Sequence, residues 1–173
     1  MQVKIATCIR VSVYTDALTY GRKYEALSHN SGEHKIKVHG DNNRIRWFPE
    51  YCFDLSGADA PFVNSIWIEA ENWLPEEWDY MNDHTDVTVT LSDGTSWTAT
   101  FFTYDNIAWL AERNKRTGEE LTGGYIKMSN SLLVDEVSRK RIEEIVEYML
   151  VHGELKEVFQ LEEVTDDTEL LGQ

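Results

Sequence analysis

The sequence predicts an α+β fold, a small N-terminal β-barrel followed by a small antiparallel sheet packed with two main helices. Short runs with period-two alternation crowd the segment 3–48. The run DVTVTLSDGTSWTATFFT (86–103) has the apolar alternation and central Asp-Gly of a β-hairpin. Two stretches at helical spacing follow, one closed by Gly118 and one by Gly153. At 173 residues the chain has room for one large or two small domains. The expected division is a barrel at 1–56, a junction at GADAP (57–61), an acidic α+β domain at 62–161 and a mobile acidic tail at 162–173.

In chain order, Val3, Ile5, Ile9, Val11 and Val13 share one face of a first strand, with Lys4, Arg10 and Ser12 on the other. Residues 16–21 read as a turn, Lys23 to Leu27 as a second strand and 28–32 as a loop. His34 to Val38 and Arg44 to Phe48 form a hairpin around HGDNN, whose Gly, Asp and Asn tolerate the positive φ of a tight turn. Phe62 to Ala70 reads as a strand that puts Glu69 and Glu71 on one face, and Pro75 to Met81 as a helical turn begun by proline. Asp105 is expected to cap a helix carrying Ile107, Leu110 and Ala111. TGEELTGG (117–124) is a loop, and 125–134 gives one strand or two short ones. Ser138 caps a last helix whose Ile142, Ile145, Val146, Met149 and Leu150 form its apolar stripe.

The residues LTYGRKYEAL (18–27), the hairpin after them and RWFPEYCF (46–53) resemble the small SH3-like barrels of bacterial proteins over about the first third of the chain. The resemblance implies the barrel and, in some relatives, peptide binding. The aromatic acidic motif of peptide-binding SH3 domains is not visible in this segment. From TATFFTYDNIAWLAERNKRTGEELTGGYIKMSNSLLV to the closing helix, the chain is similar to small uncharacterised proteins of Bacillus-like bacteria, some encoded beside toxin genes as candidate immunity proteins. That likeness rests on the FFTY step, the RTGEELTGGY loop and the helix ending in HGE. It implies a fold neighbour and a genomic context, and it supplies no active site.

Charge divides the chain. The net charge is −15, yet residues 1–56 carry eight basic against six acidic side chains and residues 57–173 carry eight against 25. No Lys or Arg occurs from 47 to 112, the window that holds all six tryptophans. Such a surface repels nucleic-acid phosphates and anionic membranes and attracts a basic protein. No run approaches the roughly 20 apolar residues of a membrane span, and the N-terminus has no signal-peptide pattern, so a cytoplasmic protein is expected. Cys8 and Cys52 have no ligand spacing and read as buried thiols.

A search for chemistry ends without a catalytic motif. None of His29, His34, His39, His84 and His152 has an HxH or HxxxH partner, and His34 and His39 fall on opposite strand faces, so no metal site is expected. GxSxG, GxGxxG and the P-loop are absent, and no cofactor is expected. Trp67, Trp97 and Trp109 occupy apolar phases and are expected in the core.

The segment ENWLPEEWDYMNDH (71–84) is different, with two tryptophans, a tyrosine and five carboxylates. Aromatic anchors ringed by acids suit the capture of a basic partner. The expected partner-binding residues are Glu69, Glu71, Trp73, Glu76, Glu77, Trp78, Asp79, Tyr80 and Asp83. The function expected is that of a non-catalytic inhibitor or immunity-type protein that masks a basic protein, such as a nuclease toxin, with no direct contact to nucleic acid or membrane. Two alternatives are a regulatory adaptor that binds a peptide or subunit through the barrel, and a small hydrolase using paired carboxylates between Glu69 and Asp83.

Overall fold

The structure, a computed structural model, describes residues 4–162. The mobile tail expected at 162–173 therefore lies, apart from Glu162, outside the described residues. The chain folds as two compact units that interleave in sequence. The first comprises residues up to Asn64, Leu91–Asp93 and Ser138–Glu157; the second comprises Ser65–Thr90, Gly94–Val137 and the residues from Val158. The last helix thus groups with the first unit, where the sequence reading had placed it in a 62–161 domain.

In the first unit, β1 (Lys4–Cys8) pairs antiparallel with β2 (Lys23–Ala26). After Leu27 the chain continues as β3 (Ser28–Asn30), which pairs with β4 (Lys35–His39), itself paired with β5 (Ile45–Pro49). The amide of Leu27 already bonds to Lys37 O at 2.9 Å, so residues 23–30 run on from one sheet into the other. A 3₁₀ turn at Glu50–Cys52 leads into β6 (Phe53–Asp54), which pairs with β1. The result is two three-stranded sheets; no closed barrel is formed among the described residues.

The expected inward face of β1 is reversed. Ala6 and Cys8 are fully buried, while Ile5 is half exposed and Val13 largely exposed. The strand stops at Cys8, and Ser12 adopts φ 52°, so the alternation read out to Val13 is interrupted. Small side chains belong inside because the core opposite is filled by Tyr24, Phe48 and Phe53. Their rings meet edge to face, Tyr24 on Phe53 at 6.1 Å and Phe48 on Phe53 at 6.3 Å, with Tyr14 on Phe48 at 5.2 Å. Gly40 permits the other close approach: a Cβ there would stand 2.9 Å from Ala17 O, which already accepts the Asp41 amide.

In the second unit, β7 (Val63–Ile68, begun in the first), β8 (His84–Leu91) and β9 (Ser96–Thr103) are neighbours in one sheet. The predicted hairpin is present, paired from His84↔Phe102 to Thr90↔Ser96, with Gly94 at φ 85° in its turn. Helix α1 (Tyr104–Thr117) is capped by Thr103, whose Oγ1 accepts the Asn106 amide, and not by Asp105. Gly118 ends it at φ 80°. A short left-handed turn, α2 (Glu119–Gly123), and an irregular segment follow before β10 (Ser131–Val134). Because α1 carries the chain back along the sheet, β10 lies parallel to β9. The sheet is therefore mixed, not purely antiparallel as expected.

Helix α3 (Arg139–His152) is capped by Ser138 Oγ and closed by Gly153 at φ 73°. It buries Ile142, Val146, Met149 and Leu150 as its spacing predicts. Its end is fixed within the first unit by the Val11 amide on Val151 O at 3.0 Å. Arg139 and Arg141, oddly placed in a first helical turn, reach Glu143 and Glu144 at 3.0 and 2.8 Å. Helix α4 (Leu155–Val158) and β11 (Gln160–Leu161), which extends the sheet along β9, complete the described chain. No helix among the described residues is long and apolar enough to cross a membrane.

Cys8 and Cys52 are free and buried. Burial pushes their thiols up from the ordinary 9.0 to about 11 and about 12. A thiol whose folded pKa is raised holds its proton longer in the native state, so its contribution to stability is complete below pH 9 and is lost as pH climbs toward 11 and 12. Two outcomes are expected: neither thiol reacts with iodoacetamide at pH 8 in the native protein while both react in urea, and urea midpoints fall as pH rises above 9. Replacing Phe48 by Ala should cost about 3–5 kcal/mol of stability, measured by urea unfolding.

Candidate functional site

The acidic segment is built from two 3₁₀ turns hung between β7 and β8, all within the second unit. The first, Glu69–Asn72, closes with the Trp73 amide on Ala70 O at 3.1 Å and the Asn72 side-chain amide on Glu69 O at 3.2 Å. It is tied to the sheet by Thr85, whose buried hydroxyl accepts the Ala70 amide at 3.0 Å. The second, Pro75–Glu77, starts where proline's fixed φ suits a first helical position. There Glu77 accepts the Leu74 amide on its carboxylate at 3.2 Å and donates its own amide to Leu74 O at 2.8 Å.

Beyond it, Asp79 Oδ1 accepts the Met81 amide at 3.0 Å, and Tyr80 O accepts the Val137 amide at 2.8 Å. Asp83 is a structural residue. Its carbonyl accepts both the amide and the hydroxyl of Thr103, and its carboxylate accepts the His84 amide at 2.9 Å. The segment is thus held mainly by backbone groups and by a carboxylate oxygen each of Glu77, Asp79 and Asp83.

Two expectations about this region need correction. Glu69 and Glu71 do not share a strand face, because the strand ends at Ile68 and both lie in the 3₁₀ turn. At three residues per turn, positions two apart point about 240° apart around the axis, which removes the geometric basis for a Glu69–Glu71 acid pair. Trp67 and Trp109, expected in the core, are each 49% exposed. Trp97 is half buried with its indole N–H on Thr95 Oγ1 at 3.0 Å.

Of the expected partner-binding residues, Glu71, Glu76, Glu77, Asp79 and Tyr80 are exposed, and Glu69, Trp73, Trp78 and Asp83 are half buried. Trp78 packs edge to face on Tyr80 with ring centroids 4.8 Å apart. The indole nitrogen of Trp78 is buried and has no hydrogen-bond partner among the described residues. The structure adds two residues that the sequence reading passed over: Leu74 is 58% and Met81 52% exposed, beside Tyr80 at 49%. Both sit inside the quoted stretch, and their only signal was an apolar side chain in a turn-forming context. The outcome is an apolar set, Leu74, Tyr80 and Met81, interleaved in sequence with the exposed acids Glu76, Glu77 and Asp79.

His29 and His34 both approach Glu50, at 3.4 and 3.5 Å. No group of three or more side chains able to hold a metal ion occurs among the described residues. The chain matches no family model, and no curated protein and no solved structure is significantly similar to it.

Thr85→Val should leave the buried Ala70 amide without an acceptor and cost about 1–3 kcal/mol. Hydrogen exchange at Ala70 and Trp73 should accelerate more than at Val87 or Ala99 in the same variant.

Proposed function

We propose that this is a non-catalytic binding protein of inhibitor or immunity type, which masks a basic protein partner, such as a nuclease toxin, with the segment 69–83. The observation that carries the reading is the exposure of Leu74, Tyr80 and Met81 among Glu76, Glu77 and Asp79, in a 66-residue stretch (47–112) without Lys or Arg. Solubility alone is served by mixed charges, whereas a single-sign field steers an oppositely charged partner. Apolar and aromatic side chains then supply the desolvated centre that holds it.

Within this reading the residues divide by role. Glu76, Glu77 and Asp79 attract the partner; Leu74, Tyr80 and Met81 are its contacts; Trp78 backs Tyr80. Asp83 and the Glu69–Asn72 turn position the segment. The mechanism is steric blockade of a basic surface, with no covalent step.

The test is capture from the native host across a salt series, with each captured protein identified and then purified for direct titration. One basic partner should bind, weakening as salt rises toward moderate ionic strength. The triple reversal Glu76→Lys, Glu77→Lys, Asp79→Lys should lower its affinity about a hundredfold or more at low salt. Tyr80→Ala should lower it about thirtyfold, while a single reversal outside the segment, Glu33→Lys, should leave it within about threefold. A partner bound equally well by the triple reversal would overturn the assignment of this segment.

A further inference from the structure

A cleft of about 950 Å³ is lined wholly by residues of the first unit. Its volume is in the range of small-molecule sites, roughly 300–1,000 Å³. Ile9, Tyr20, Tyr51, Phe62 and Leu155 supply apolar walls, and Arg10 and Lys156 bring positive charge. Phe62 and Tyr51 are both more than half exposed, so their faces are open to a ligand.

Arg10 is held in an unusual way. Its backbone is fixed by the amide on Cys52 O, and its side chain lies in a slot that exists because position 153 is glycine. A Cβ there would stand 2.7–2.9 Å from Arg10 Cδ, Cγ and Nε. The guanidinium carbon sits 5.4 Å from the centroid of the Tyr51 ring. One terminal nitrogen, Nη2, donates to Glu157 Oε1 at 3.0 Å, but Nε is buried and has no partner among the described residues. Nε and Nη2 form one edge of the guanidinium, whose two parallel N–H groups match the two oxygens of a carboxylate. Glu157 uses half of that fork, and with a side chain 60% exposed it is a weakly held partner.

Of the acids lining the cleft, Asp59 is neutralised by an ion pair, while Asp54 has both oxygens occupied by neutral donors and keeps its charge. Both oxygens of Asp54 accept from Ser56, at 2.7 Å each, and Asp59 pairs with Lys23 at 2.8 Å. Asp93 lies on the Tyr20 side, where it is the least of the causes raising that phenol's pKa, after burial, Glu147 and Cys8. Tyr20 keeps its proton and donates it to Pro61 O at 2.6 Å.

We propose that this cleft binds a small organic carboxylate with an aromatic or branched aliphatic body, its two oxygens taken side-on by Arg10 Nε and Nη2 in place of Glu157. The body covers the Tyr51 and Phe62 faces. The site is independent of the acidic segment, and its failure would leave the reading of that segment untouched.

The experiment titrates the full chain with 3-phenylpropionate, 3-phenylpropan-1-ol and 3-phenylpropan-1-amine, read by amide chemical-shift changes in ¹⁵N-labelled protein. The acid should give saturable shifts centred on Ile9, Tyr51 and Gly153, the alcohol should bind about tenfold more weakly, and the amine should not saturate. Glu157→Gln should tighten the acid severalfold by weakening its internal competitor. Arg10→Lys, which keeps the charge but loses the fork, should weaken it about tenfold. The proposal is overturned if the acid gives no saturable shifts with either the native chain or Glu157→Gln, if the amine binds as well as the acid, or if a folded Arg10→Lys binds it unchanged.

Discussion

The pairing of β9 on both of its edges is the constraint on which the second unit depends. On one side it is bonded to β8 from Ser96 to Phe102, and on the other β10 and then β11 share its length in succession. A strand so placed fixes the register of three others. Its buried side chains, Ala99 and Phe101, and those of β8, Val87 and Val89, face the core. Opposite, Thr88 meets Thr98 at 2.9 Å and Thr90 meets Ser96 at 3.1 Å, and Glu162 accepts from Thr98. The two faces are chemically unlike, so a one-residue slip would bury the hydroxyls and expose the valines.

The acidic segment inherits its position from this register. Thr85 in β8 and Asp83 just before it tie the segment at both ends: Thr85 accepts the Ala70 amide, and Asp83 is bonded to Thr103 at the end of β9. Thr103 also caps α1, so one buried residue joins the last strand position, the helix start and the exit from the acidic segment. An irregular loop can then hold a defined course without a hydrophobic core of its own.

What was legible in the sequence follows from which patterns have one physical solution. An Asp-Gly between two alternating runs admits little except a hairpin, and Ser138 with Gly153 bracket α3 because capping and left-handed closure suit few other residues. The face of β1 was misread because alternation gives two faces and only the packing partner chooses between them. With Phe48 and Tyr24 already filling the interior, Ala6 and Cys8 fit where Ile5 would not. The parallel β10 was hidden for a related reason: strand direction is set by the crossover through α1, not by residues 131–134. The candidate segment was recognisable by composition, but exposure of Leu74 and Met81 depends on how two 3₁₀ turns present them, which no periodicity encodes.

The electrostatics of the segment bear on how a protein keeps charge available. Clustered anions repel one another, and the usual remedy is neighbouring cations, which would also cancel the outward field. Between 47 and 112 that remedy is absent, and the turns use backbone amides in its place: Glu77 and Asp79 each receive one amide N–H. A neutral donor steadies a carboxylate locally while leaving its full charge in the field, whereas an ion pair would not. The arrangement in α3 is the opposite one, with Arg139 and Arg141 bonded directly to Glu143 and Glu144, so that helix presents little net charge. The carboxylates of α3 and those of the 69–83 segment are thus stabilised in two ways, and an amide-held carboxylate such as Glu77 or Asp79 keeps the outward field that an ion pair cancels.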